Sequence, residues 1–186
     1  MHYNENFSKL NHTTSPLEKG EYEQCVFEQC DFAEADLSKC VFVDCIFTEC
    51  NLSSANINQT AFREVAFKDC KMIGLHFENC NEFLLAVNFE NCTLDLSIFY
   101  GRKMKNTPFI NCSLKEVDFS DVDLSGAKFD QCDLHRTVFE NTNLERTDFS
   151  TSYNFIINPD VNNIKKAVFS LNGLPGLLMK YQLVVS

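Results

Sequence analysis

Ten cysteines and four histidines are the residues of this chain best suited to chemistry. The cysteines are Cys25, Cys30, Cys40, Cys45, Cys50, Cys70, Cys80, Cys92, Cys112 and Cys132. Thiols hold zinc or pair as disulfides, and structural zinc asks for four ligands in a tetrahedron. The spacing here points elsewhere. Nearly every cysteine stands two residues before a Phe, Leu or Met. A residue type tied to one recurring position serves the packing at that position, and free cysteine behaves as a small hydrophobe. A line of buried thiols makes a poor tetrahedron, and burial raises thiol pKa. Parallel inward side chains are also badly aligned for bridging. Free thiols in a reducing, cytoplasmic setting are therefore expected, with no metal.

The other candidates reduce in the same way. His2 and His12 lie in the N-terminal stretch, and His76 and His135 fall on outward positions with no evident cysteine or carboxylate partner. Asp31, Asp36, Asp118, Asp123, Asp133 and Asp148 each directly precede an apolar residue of the repeat. Their side chains suit local bonds to turn backbone rather than acid–base work. No nucleophile–base pattern, phosphate loop or dinucleotide fingerprint is present, so neither a catalytic residue nor a cofactor is expected.

What positions these residues is a period of five. In CVFEQCDFAEADLSKCVFVDCIFTEC, residues 25–50, the apolar centres are Phe27, Phe32, Leu37, Phe42 and Phe47. The centres run from Tyr22 to Phe77 and again from Phe89 to Phe149, with two extra residues between 78 and 88. A longer period lies over the short one. Every fourth centre is Phe: Phe27, Phe47, Phe67, Phe89, Phe109, Phe129 and Phe149, with Phe169 returning to the column after a degraded stretch. A second column is Phe32, Leu52, Met72, Leu94, Leu114 and Leu134. The residues two before its members are Cys30, Cys50, Cys70, Cys92, Cys112 and Cys132. Four five-residue sides per turn make a square coil, with centres and small residues inside. Like side chains then stack from turn to turn at ~4.8 Å, and eight levels give a rod of roughly 35 Å.

The pattern strongly resembles the pentapeptide-repeat proteins, whose loose consensus is A-(D/N)-L-x-x. AEADL at 33–37, SSANI at 53–57, DVDLS at 121–125 and DQCDL at 130–134 carry the resemblance. It implies an all-β, right-handed quadrilateral β-helix over 21–170. Residues 1–20 are expected as an N-terminal cap or tail, with Leu17 a possible extra repeat. The stretch 171–186 breaks the period, and Gly173, Pro175 and Gly176 punctuate it. Leu174, Leu177, Leu178 and Tyr181 then fall at helical spacing. A helix this short must dock. It can cap the last turn, or its surplus apolar residues, including Met179, Leu183 and Val184, can pair two rods as a homodimer. The resemblance to the quinolone-resistance (Qnr-type) branch implies such a C-terminal dimer.

Formal net charge is −10, unevenly spread. Residues 18–50 hold nine acids and two bases, and residues 116–148 hold nine acids and three bases. The middle, 51–115, has six acids and seven bases, with Arg102, Lys103 and Lys105 clustered. This sign excludes a nucleic-acid binder, which needs a basic footprint. No stretch approaches a membrane span. Two readings of function remain. One is a non-enzymatic interaction solenoid of unnamed partner. The other, implied by the Qnr-type resemblance, is an acidic DNA mimic that binds DNA gyrase or topoisomerase IV and modulates or protects it against quinolones.

Overall fold

The computed structural model describes residues 1–184, so the expected segment 171–186 ends just outside the described range. Its strands are short: β1 (His2–Tyr3), β2 (Asn6–Ser8), β3 (Glu21–Glu23), β4 (Val26–Glu28), β5 (Val41–Val43), β6 (Ile46–Thr48), β7 (Ala61–Arg63), β8 (Val65–Lys68), β9 (Val87–Glu90), β10 (Pro108–Ile110), β11 (Lys128–Asp130), β12 (Asp148–Phe149) and β13 (Val168–Phe169). All pairings are parallel. Partners stand one turn apart, as in Phe27 opposite Phe47. The result is a right-handed quadrilateral β-helix of about eight turns. We number its sides from one to four along the chain, with Tyr22, Phe27, Phe32 and Leu37 as the centres of one turn.

Rings of the Phe column, on side two, stack from Phe7 to Phe169 at centroid spacings of 4.6–5.6 Å. Each ring lies nearly parallel to the next, so backbone spacing and ring contact satisfy one another. A second aromatic ladder changes sides. It occupies side one through Tyr22, Phe42 and Phe62, then side four through Phe77, Phe99, Phe119 and Phe139.

The residue before each centre biases the backbone. On most tight-turn sides it is Asp or Asn, whose carboxyl or amide oxygen accepts the N–H two residues on, whereas on side two Asn6, Asn88 and Asp148 lie within strands. Asp31, Asp36, Asp118, Asp123, Asp133 and Asp148 all accept this bond, at 2.8–3.2 Å. Val26, Val41, Ile46, Ala61 and Ala66 stand at this position within strands, as β-branched and small apolar residues favour, although Ile98 and Val138 stand on turn sides. Side one is sheet only up to β7, whereas side two is sheet along the whole rod. The residue two after almost every centre is left-handed, with φ near +50 to +63° for non-glycines such as Gln29, Asp44, Glu49, Asp69 and Leu96. That conformation turns the corner, and its cost is offset because the same N–H bonds the next turn, as from Gln29 to Thr48 at 2.9 Å.

Residues 1–20 depart from the expected cap or tail. They wind as a full turn of the coil: β1 pairs with β3 and β2 with β4. The centres of that turn are His2, Phe7, His12 and Leu17. His2 stacks on Tyr22 and His12 on Phe32, each at 4.6 Å, as aromatic members of their columns. The two extra residues lie in the segment 82–86. Before it the register between turns is 20, as in Gln59 N–H to Asn79 O, and after it 22, as in Val65 opposite Val87. The bulge expels Phe83 and Leu84, each 62% exposed, and turns Leu85 toward the core.

At the C-terminus a 3-10 turn (Leu171–Gly173), helix α1 (Pro175–Leu178) and a second 3-10 turn (Met179–Tyr181) follow the last strand. Leu177 packs on the core, and Gly173 and Gly176 press against Phe155. The segment thus lids the coil. Leu174, Leu178, Tyr181, Leu183 and Val184 point outward, from 41% exposed at Leu174 to 97% at Val184.

Candidate interaction surface

All ten cysteines are buried and unbridged. Their thiols are donors rather than mere wedges. Cys30, Cys50, Cys70, Cys92 and Cys132 donate to the carbonyls of Phe7, Phe27, Phe47, Phe67 and Phe109, at 3.3–3.4 Å. Cys112 instead donates to Ile110 O at 3.3 Å. Hydroxyls do the same work elsewhere: Thr60 bonds Leu37 O at 2.8 Å, Thr137 bonds Leu114 O at 2.7 Å and Ser152 bonds Phe129 O at 2.6 Å. The inward small residue supplies a donor to a centre's carbonyl one turn below, where water cannot reach. Burial pushes the Cys45 thiol up to about 11 and also raises Cys30, Cys40 and Cys80. These sulfurs are neutral and shielded, which suits neither nucleophile nor metal ligand.

The remaining chemistry is on the surface. His76 is exposed and contacts Glu78 at 2.7 Å, a carboxylate partner that sequence spacing did not suggest; His135 is exposed. Of the basic cluster, Arg102 does not point out. It occupies an inward small-residue position above Cys80, donates to Cys80 O at 3.4 Å and lies 4.0 Å from Glu82. Its long side chain fills the corner that the bulge opens. Lys105 is tied to Asp123 at 3.3 Å, whereas Lys103 is exposed.

Ion pairing separates the two acidic zones that composition made equal. In 116–148, Lys115 and Lys128 reach Asp133 and Asp130, Arg136 reaches Glu116 and Arg146 reaches Glu145. With Lys105 on Asp123, five of the nine acids there have cations beside them. In 18–50, Lys19 holds Asp36 at 2.9 Å and His2 lies 3.9 Å from Glu18. Glu21, Glu23, Glu28, Asp31, Glu34, Asp44 and Glu49 have no cation within ion-pair distance among the described residues, nor do Glu64 and Asp69 of the next turn. The negative field is therefore strongest on the second and third turns, and the fourth adds the carboxylates of Glu64 and Asp69 beside Arg63, Lys68 and Lys71. The amide and acid ladder at the corner after the Phe column is locally bonded, with Gln29 to Glu49 at 2.7 Å, Asn91 to Asp69 at 2.9 Å and Asn111 to Asn91 at 2.9 Å.

The sequence model for the pentapeptide repeat region matches residues 20–99 and 75–149, most of the chain. The chain belongs to the pentapeptide-repeat family. No curated protein matches it. Among solved structures, a trypsin-treated form of QnrB1, a plasmid-mediated fluoroquinolone resistance protein, is similar at TM-score 0.54 and 17% identity. That match covers 100% of this chain and 99% of QnrB1. HetL, a pentapeptide-repeat protein involved in heterocyst differentiation regulation in the cyanobacterium Nostoc sp. strain PCC 7120, matches at TM-score 0.38 and 13% identity, over 92% and 88% of the two chains. At 17% identity the likeness to QnrB1 extends to the fold. No helix of the described residues is long and apolar enough to cross a membrane.

Proposed function

We propose that this pentapeptide-repeat protein is a non-enzymatic interaction rod whose second to fourth turns bind a basic partner. The observation that carries the reading is the group of carboxylates there with no cation beside them, from Glu21 to Asp69. Close-spaced like charges raise one another's energy, and a cationic surface relieves that repulsion. The rigid coil holds them at fixed spacing, so little ordering accompanies binding. The test is capture from lysate with wild-type protein and with Glu21→Gln/Glu23→Gln/Asp44→Asn/Glu64→Gln. A partner lost from the variant, and released from wild type by moderate salt, supports the reading. Equal capture by both overturns it.

A second, sharper reading is an acidic DNA mimic acting on DNA gyrase or topoisomerase IV. The correspondence with QnrB1 along nearly its whole length favours it, as does the rod itself. Duplex DNA carries about one charge per ~1.7 Å of axis, and a narrow acidic rod presents a comparable field. Pairing of two rods through the exposed C-terminal leucines would roughly double the rod and place a strongly acidic zone at each far end. Gyrase supercoiling with the protein titrated in, with and without ciprofloxacin, tests this. Inhibition or rescue supports the mimic. No effect at a large excess of protein leaves the basic partner to be sought elsewhere.

A further inference from the structure

The second to fourth turns carry more than charge. On side two, the residues before the Phe centres line up in register as Asn6, Val26, Ile46, Ala66 and Asn88. The middle three form an apolar stripe along the rod axis, Ile46 being 39% exposed and Val26 and Ala66 partly so. Asparagine closes it at both ends. Carboxylates flank it on both corners: Asp44 and Glu64 on one side, Glu49 and Asp69 on the other, with Glu28 beside the stripe, all exposed. Lys68, beside the stripe, is drawn toward Glu90 at 3.6 Å, at the far end of the patch, and Arg63, next to Glu64, lies over the Phe83 ring. Farther along, the same row has no apolar run, Pro108 and Val168 being separated by Lys128 and Asp148.

We infer that this face is a docking site for a basic amphipathic α-helix of a partner protein, lying along the rod axis. The inference rests on the basic-partner reading and adds the shape of the partner. The spacing supports a helix. Three residues on adjacent strands span about 10 Å, and helical positions i, i+3 or i+4 and i+7 rise by about 10.5 Å. One apolar ridge of a helix thus meets the stripe side chain by side chain, while lysines and arginines on its flanks reach the two rows of carboxylates. The apolar centre with a charged rim is the usual anatomy of a protein interface. A surface that imitated a polyanion by charge alone would have no use for Val26 and Ile46 at its centre.

The test uses the full chain and two labelled peptides of about 18 residues, long enough for a bound helix. One is a Leu/Lys amphipathic helix. The other has the same composition scrambled to disperse the leucines. Binding is followed by fluorescence anisotropy. Wild type should bind the amphipathic peptide roughly tenfold more tightly than the scrambled one. Val26→Asn/Ile46→Asn should bring the two to equal affinity. Asparagine already stands in this row at positions 6 and 88, and an unchanged circular dichroism spectrum and melting temperature check the fold. Val168→Asn, in the same row but outside the patch, should change nothing. If the two peptides bind wild type equally, or the double variant keeps the preference, the stripe inference falls while the basic-partner reading stands. If neither peptide binds, both fall.

Discussion

At the scale of single residues, the inward small position does two jobs. Its size lets the corner close, and its donor satisfies a carbonyl held away from water. Ala would do only the first. Cys70→Ala should therefore cost about 1 kcal/mol by urea denaturation, the net worth of a buried hydrogen bond, while Cys70→Ser holds closer to wild type. Equal losses from both would mean the thiol is only filler. The raised thiols also carry a pH signature. A thiol lifted from its ordinary 9.0 to about 11, as at Cys45, binds its proton more tightly when folded. Its contribution is complete below pH 9 and is lost as pH rises from 9 to 11. Thermal stability should fall across that window, and native protein at pH 8 should react with a thiol reagent far more slowly than unfolded protein. The Phe column bears the packing. Phe89→Ala should destabilise by roughly 3–5 kcal/mol in the same urea assay.

Among elements, the bulge at 82–86 marks where the coil changes character. Before it, sides one and two are both strand; after it, side one folds as tight turns, because Asp123, Asn143 and Asn163 replace Val41 and Ala61 before the centres. The second aromatic ladder changes sides at the same place. The repeat breaks again at 154–157, where Asn154 is exposed and Phe155 and Ile157 enter the core out of phase, and the C-terminal lid closes over that break by a close approach of glycine to Phe155. A methyl group on Gly176 would meet the Phe155 carbonyl, a contact no small shift removes. Gly176→Ala should release the lid: amides of 171–181 should lose hydrogen-exchange protection while those of β4 to β11 keep theirs. Unchanged protection of the lid would place its anchor elsewhere.

For the whole molecule, the rod has unlike ends. The first turn is coil to its edge, and the last is covered by a lid whose outer face is apolar. Leu171, Leu174, Pro175, Leu178, Met179 and Leu183 line a cleft of about 500 Å³ there. A second copy is the occupant that the Qnr-type resemblance implies, and truncation after Ser170 tests it. The truncated rod should keep its β spectrum, because each turn is stabilised by its neighbours. Light scattering should report a dimeric mass for the full chain and a monomeric one for the truncated rod. A truncated protein that remains dimeric would remove the lid from the interface. In such a dimer the strongly acidic turns lie at the two far ends, separated by the ion-paired turns.

The sequence by itself determined the coil. A side chain every fifth residue must face one axis, and identical columns every twenty residues have meaning only if turns stack. The Phe and Cys columns, the tight-turn aspartates and the existence of the two-residue insert were legible for that reason. The first turn was also in phase, at 2, 7, 12 and 17, but His2 and His12 hid it, since an isolated histidine does not read as a core ring. Only the tertiary structure decided which charges are free. Cations reach acids one turn away, as Lys115 reaches Asp133 and Lys105 reaches Asp123. Whether a given pair meets depends on which side and row each residue occupies, which net charge along the chain does not encode. The same stacking put Arg102 inside the coil and brought Val26, Ile46 and Ala66, twenty residues apart, into one stripe.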